Sequence, residues 1–361
     1  MENKSRKKST TTKKRVSNKK KQAKKPNKSR KWLILAVLLA VVGAVALGYV
    51  LVNGADDDVI IKIPRGAKIE NVEDSIAKYL GDEYAAMVVS VMKTQKVDLS
   101  ERNGAYKIPK GMNPAKAARV LTHGGEAGVK VVLRHFRTKK DLAKFFSARL
   151  DMTEKEFLSA FNDSDIQATY DLKPEQMIAL FMEDTYEFYW SITPEQLIEK
   201  MAMYYNRYWN DSRVEDAKEM GLTPIEVMTL CSIVDEETAK VDEKGKIGRL
   251  YLNRLNKGMR LQADPTAKFA SGNFGLRRIT SKQTSLNSPY NTYRVKGLPP
   301  GPIGTTSKQT LNEFLDSREH DYLFMCAKED FSGYHNFSVT YEEHQANARR
   351  YQKALNERGI K

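Results

Sequence analysis

The residues best suited to chemistry in this chain lie between Thr223 and Thr266. Thr223, Pro224 and Glu226 supply an N-cap, an N1 proline and an N3 acid, which together start a helix. Its apolar stripe is Val227, Leu230 and Val234, and the next position on that stripe is Glu237. Asp235 follows Met228 and Cys231 on an adjoining edge, and Glu236 follows Thr229 and Ser232 on the polar face. Of three consecutive acids, Glu237 is therefore the one that points inward. Desolvation, the negative end of the helix dipole and two neighbouring carboxylates all favour its protonated form. A carboxylic acid that keeps its proton near neutral pH is what a general acid needs to protonate a glycosidic oxygen. The same periodicity also admits a structural Glu paired with Arg249 or Arg254, and it does not choose between the two.

Three further segments are dense in polar groups. They are Asn253 to Thr266, Asn287-Ser288-Pro289-Tyr290-Asn291-Thr292-Tyr293, and Gly297-Leu298-Pro299-Pro300-Gly301-Pro302-Ile303. Amides, hydroxyls and aromatic faces on rigid Pro/Gly loops suit a neutral, hydroxyl-rich ligand such as a glycan. A phosphate ligand is poorly served, because there is no Gly-rich loop with Lys-Ser/Thr. His335 and His344 stand nine apart with no Cys or acidic cluster to complete a zinc site, so no metal and no cofactor is expected. Of the two cysteines, Cys231 falls on the apolar side of its helix and reads as a buried free thiol.

The elements that must position these residues are legible in outline. Val59 to Ile63 reads as a strand closed by Pro64-Arg65-Gly66, helices follow over 70–80 and 82–96, and Ala105 to Ile108 is a second strand. Pro114 to Leu121 is a helix with Asn113 as N-cap, giving a small β-α-α-β-α module over 57–124. Gly124-Gly125 marks a hinge, and Val129 to Leu133 begins a new unit. Helix starts follow at Thr138 with Asp141 and at Thr193-Pro194 with Gln196. Tyr204, Tyr205, Tyr208 and Trp209 share helical spacing and read as core. Residues 260–335 read as long loops with short strands, and a last helix begins near Tyr341.

The whole chain has 361 residues, 60 Lys+Arg and 45 Asp+Glu, for a formal charge of +15. Residues 1–31 contain fifteen of those bases and one acid, so the rest of the chain is close to neutral. A basic nucleic-acid enzyme spreads its charge over a binding face; here the charge is one tail, and no nucleic acid is expected as a partner. The tail lacks apolar periodicity and reads as disordered. Trp32 to Val52 then runs 21 residues without a charge, roughly 30 Å as a helix, the thickness of a bilayer core. Bases before it and Asp56-Asp57-Asp58 after it orient the tail to the cytoplasm and the remainder outside it. Residues 32–52 would then meet membrane lipid.

Taken together and in order, these segments resemble the endolytic murein transglycosylases of the MltG (YceG-like) family. SIVDEETAKVDEKGKIGRLYLNRLNKGMRLQADPT at 232–266 is similar to the family pattern SI(I/V)EKET…VxxNRLxxGMxLQxDPT. NSPYNTYRVKGLPPGPI at 287–303 is similar to SPYNTY…GLPPGPI, and FMEDTYEFYW at 181–190 to LFPDTYxF. His335-Asn336-Phe337 with His344 resembles the HxFxxxxxxH end, and GAYKIPKGMNPAKAARVLTHG at 104–124 resembles a LysM-like subdomain.

The resemblance implies an α+β fold: a single transmembrane helix, a LysM-like subdomain at 57–124 and a mixed α+β catalytic domain at 128–361. It implies a peptidoglycan lytic transglycosylase of the inner membrane, with its catalytic domain periplasmic. Such an enzyme cuts between N-acetylmuramic acid and N-acetylglucosamine in nascent strands beside penicillin-binding synthases. The Glu before Thr in EKET corresponds to Glu237, the expected catalytic acid. Asp235, Gln262, Asp264, Thr266, Asn291, Tyr293 and Tyr186 are the expected substrate contacts. Where the pattern has Glu, Lys and Pro, this chain has Asp235, Glu236 and Glu183. The competing expectations are a non-catalytic peptidoglycan-binding scaffold on the membrane, and a conventional muramidase that hydrolyses the same bond.

Overall fold

A computed structural model describes residues 28–52, 54–95, 102–276 and 278–359. Most of the basic tail, and Asn53 of the linker, lie outside the described residues. The chain divides into two units at Asn53. The first unit contains α1 (Lys28–Val52), whose segment Arg30–Val50 is long and apolar enough to cross a bilayer. Its apolar side chains from Trp32 to Leu47 are exposed within the protein.

The second unit, from Gly54, is α+β. It opens with β1 (Val59–Ile63), α2 (Ile69–Leu80), α3 (Asp82–Thr94), β2 (Gly104–Ile108) and α4 (Pro114–His123), in the β-α-α-β-α order read from the sequence. The two strands pair antiparallel, with Ile61 opposite Tyr106. The inward residues Ile61, Ile63 and Ile108 meet Val72 and Ile76 of α2, Val88 of α3 and Leu121 of α4 in a closed core. The side-chain oxygen of Asn113 accepts from the Lys116 N–H and caps α4 as expected.

A second core begins at β3 (Gly128–Leu133), which is followed by α5 (Lys139–Ser147), α6 (Glu154–Phe161) and α7 (Ser164–Thr169). A single 3-10 turn, Met177–Leu180, leads into β4 (Asp184–Tyr189), antiparallel to β3 with Val131 opposite Tyr186. Helices α8 (Pro194–Tyr208), α9 (Asp211–Glu219), α10 (Pro224–Glu237) and α11 (Val241–Asn256) come next. Phe146, Phe157, Phe181 and Phe188 fill this core with Leu230 and Val234 of α10 and Ile247 of α11. Tyr205, Tyr208 and Trp209 are buried in it, and the partly buried Tyr204 ring packs on Tyr186 at 4.8 Å.

Residues 260–335 contain more helix than expected: α12 (Asp264–Ser271), α13 (Ser281–Thr284) and α14 (Lys308–Leu315). α14 hides from periodicity because it is eight residues long and buries only Thr310, Leu311 and Phe314. The chain ends in β5 (Phe324–Ala327), β6 (His335–Ser338) and α15 (Tyr341–Glu357), with β5 and β6 antiparallel. Both cysteines are free thiols, Cys231 buried and Cys326 half-buried.

α11 reaches α14 at unusually short range. A Cβ on Gly245 would lie 2.2 Å from the Glu313 carbonyl oxygen, and one on Gly248 would lie 2.5 Å from the Phe314 ring. Only glycine fits at either position. Asp235, Lys244 and Thr310 tie the same region together. Lys244 Nζ donates to Asp235 Oδ1 at 2.7 Å and to Thr310 Oγ1 at 2.8 Å, and the Ser307 N–H donates to Asp235 Oδ2 at 3.1 Å.

Candidate active site

The end of α10, one face of α11, the start of α12 and the β5–β6 pair enclose a cavity of about 430 Å³. Glu237 is the last residue of α10 and lines it. Its Oε1 accepts a hydrogen bond of 2.6 Å from the hydroxyl of Tyr251 on α11. Burial pushes the Glu237 carboxyl up to about 7. The Tyr251 hydrogen bond opposes that rise, while the charges of Asp264 and Glu236 add to it. Neither arginine weighed as a partner reaches it. Arg249 donates to Ser317 Oγ at 3.3 Å and to its carbonyl at 3.0 Å. Arg254 donates to the carbonyls of Arg260 and Leu323 and, at 2.6 Å, to Gln262 Oε1.

Around Glu237 the wall is polar on one side and aromatic on the other. Asp264 opens α12, and its Oδ1 accepts from the Tyr293 hydroxyl at 2.6 Å. Gln262 has φ +52, a left-handed backbone uncommon for a side chain with a Cβ, and it turns its amide onto Arg254. Phe324, Tyr341 and His344 form the aromatic side, with Phe324 stacked on His344 at 5.4 Å. His335 reaches the cavity from β6, held by Glu243, which accepts from its backbone N–H and contacts its Nδ1, each at 2.9 Å. Among the described residues no group of His, Cys, Asp and Glu is arranged to hold a metal.

Of the eight site residues expected from the sequence, Glu237, Gln262, Asp264 and Tyr293 line this one cavity. The other four lie outside its wall. Asp235 is locked into the Lys244–Thr310 network described above, with its side chain 5% exposed. Thr266 is buried and donates to the Ala263 carbonyl at 2.7 Å, holding the turn that starts α12. Asn291 is buried and spends its amide N–H groups on the carbonyls of Gln283, Thr284 and Leu286. Tyr186 points into the second core and donates to the Met182 carbonyl at 2.6 Å. Thr266 and Asn291 brace the turns beside the cavity residues, Asp235 ties α10 to α11 and α14, and Tyr186 holds its own strand. A polar residue in a rich motif looks the same in sequence whether it faces a ligand or holds a turn.

Tyr251, Arg254, His335, His344, Phe324 and Tyr341 also line the cavity and were not among the expected site residues. His335 and His344 sit in a motif read from the sequence, and only the fold shows that both face the same space. Nothing in the spacing of Tyr251 from Glu237 marks it as the partner.

Comparison with known proteins follows the same lines. A family model described as the YceG-like family matches residues 61–350. The chain is 32% identical over 164 residues to the endolytic murein transglycosylase of Bacillus subtilis (strain 168), covering 45% of this chain and 44% of that protein. It is 33% identical over 149 residues to the protein of the same name from Streptococcus pneumoniae (strain ATCC BAA-255 / R6), covering 40% of this chain and 26% of that one. The matched segments thus span less than half of either relative. A crystal structure of a putative YceG-like protein from Listeria monocytogenes aligns with a TM-score of 0.54 at 25% identity, covering 81% of this chain and 99% of that one.

Proposed function

The chain belongs to the YceG-like family, and from that premise we propose that it is a membrane-anchored endolytic lytic transglycosylase of peptidoglycan. The observation that carries this reading is Glu237: a carboxyl raised to about 7, hydrogen-bonded to Tyr251, in a cavity walled by polar and aromatic groups. The named relatives are endolytic murein transglycosylases, which supports the same substrate here.

In this reading protonated Glu237 gives its proton to the oxygen joining N-acetylmuramic acid to the next N-acetylglucosamine. The C1–O4 bond breaks and the leaving sugar departs as an alcohol. The Glu237 carboxylate then takes the proton of the muramyl 6-hydroxyl, whose oxygen bonds C1 and leaves a 1,6-anhydro end. One carboxyl serves both steps, the proton is returned to it, and no water enters. Tyr251 holds the carboxyl oriented in either state. Gln262, Asp264 and Tyr293 hold the glycan, and α1 keeps the site near strands still joined to lipid. Partnership with penicillin-binding synthases, and placement of residues 54–361 on the outer side of the inner membrane, belong to the same reading.

One observation favours a second reading. Asp264 gives the cavity another carboxylate, and a glycosidase that uses water needs two. Product analysis separates the two. Incubation with isolated peptidoglycan followed by mass spectrometry is expected to yield anhydro-muramyl ends from the wild type and none from Glu237→Gln. Reducing ends from the wild type would overturn transglycosylation in favour of hydrolysis, with Asp264 as the second acid. No products from a folded, membrane-reconstituted wild type would favour the scaffold reading.

A further inference from the structure

Outside the cavity, a second set of charges meets at the same end of α10. His135, on the segment between β3 and α5, places Nε2 2.7 Å from Glu236 Oε1 and Nδ1 3.2 Å from Glu183 Oε1. Arg137 Nη2 donates to the other Glu236 oxygen at 2.8 Å. The imidazole is seated against Gly304, in the loop before α14, where a Cβ would lie 2.8 Å from its Cε1. The Glu236 side chain is 12% exposed, so its charge is held by protein groups and hardly by water. Both ring nitrogens of His135 face carboxylate oxygens, and only the imidazolium donates from both. Glu183 and Glu236 are two of the acids that replace Pro and Lys of the family pattern, and the fold brings them to one histidine.

We propose that His135 and Arg137 are positioning residues for Glu237, fixing the adjacent Glu236 as a permanent anion so that Glu237 is the carboxyl that keeps the proton. This rests on the reading of Glu237 as the acid of the reaction. Two neighbouring carboxyls at one helix end do not ionise together without cost, so the environment decides which one takes the charge. Two cations face Glu236. Glu237 shares its cavity with the hydroxyls of Tyr251, Tyr293 and Tyr341, with Asp264, with Arg254, which is engaged on Gln262, and with His335 and His344, the first held by Glu243 and the second stacked on Phe324. The titration follows the geometry. Burial works to raise Glu236, but His135 and Arg137 outweigh it and hold the group at about 2. Burial likewise works against charge on His135, and its two carboxylates push it up to about 9.

The test compares Glu236→Gln, His135→Gln and Arg137→Gln in the full chain reconstituted in membranes. Two readouts are taken: the pH profile of peptidoglycan cleavage, and the ionisation of Glu237 followed by carboxyl-carbon NMR, which needs no turnover. Glu236→Gln removes the neighbouring anion and is expected to move the Glu237 midpoint down by about half a pH unit or more. His135→Gln and Arg137→Gln each take a cation from Glu236, whose own midpoint, followed in the same spectra, is expected to rise toward the ordinary carboxylate range by about one unit or more. A fall at Glu237 in the first variant and a rise at Glu236 in the other two are not produced by general loosening of the fold. A Glu237 midpoint unmoved in Glu236→Gln, or a Glu236 midpoint unmoved in both cation variants, would overturn the proposal. If the wild type releases no product while the NMR midpoints shift as stated, the reaction fails and the positioning stands.

Discussion

Glu237 shows how far a single side chain is readable. Helical phase from Val227 through Leu230 and Val234 picks it out of three acids, and it is the one of the three that lines the cavity. Helical phase does not by itself separate the acids, because α10 is buried on every side from Val227 to Val234 and Asp235 is also enclosed. Two expectations follow at this scale. Tyr251→Phe removes the hydrogen bond that stabilises the ionised carboxyl, so the limb of the cleavage profile set by Glu237 should move up by about one unit. The second concerns stability. The folded value of Glu237 lies above its ordinary 4.5, near 7. Its contribution is therefore fully present below about pH 4.5 and is lost as pH rises through about 7. Glu237→Gln escapes that loss. Denaturant titrations should find the variant gaining about 1–3 kcal/mol on the wild type between pH 5 and pH 8. A constant difference across that range would contradict the buried-acid reading.

At the level of elements, start signals were the most legible feature. Capping boxes at Thr138, Thr193 and Thr223 open α5, α8 and α10 as read from the sequence, and Pro stands at the first turn of the last two. Less visible were β4, whose inward Tyr186 and Phe188 sit inside a motif read for its chemistry, and α14, too short to show a period. Least visible was the α11–α14 contact, because a helix-interior glycine gives no sign of what approaches it. That contact makes a strong prediction. Gly245→Ala drives a methyl into the Glu313 carbonyl, and backbone cannot swing aside as a side chain would. It should cost about 2–4 kcal/mol in thermal or denaturant unfolding. α11 carries Tyr251 and Arg254, so the substitution should also impair cleavage. Ala at Gly258, where nothing lies within 4 Å of a Cβ but φ is +65, should cost about 1 kcal/mol through backbone strain alone.

For the molecule as a whole, the two hydrophobic cores are joined by few polar links. The Glu126 carboxylate accepts from the Ala105 N–H at 3.1 Å on one side, and from the Ser191 N–H at 2.9 Å and hydroxyl at 2.6 Å on the other. Arg65 reaches across to Asp151, whose Oδ2 accepts from its backbone N–H at 2.9 Å. The expected hinge at Gly124-Gly125 thus sits beside an acid that staples both sides. Glu126→Gln keeps the shape but weakens three charge-assisted bonds. Hydrogen exchange should then quicken at β2 and around Ser191 while the interiors of both cores stay protected. Uniform loss of protection would mean that the two cores unfold as one.

Each core is also contiguous along the chain. The first uses residues from Ala55 to Leu121, and the second starts at Val131. Among the described residues, no strand of one core is completed by a segment from the other. A chain made from its N-terminus can therefore close the first core before the residues of the second exist, and domains generally fold in that order during synthesis. The second core closes later, because Gly245 and Gly248 of α11 have no packing partner until α14 has been made. The cavity around Glu237 needs Phe324, His335 and His344 as well, so its wall is complete only once the chain has been made as far as α15.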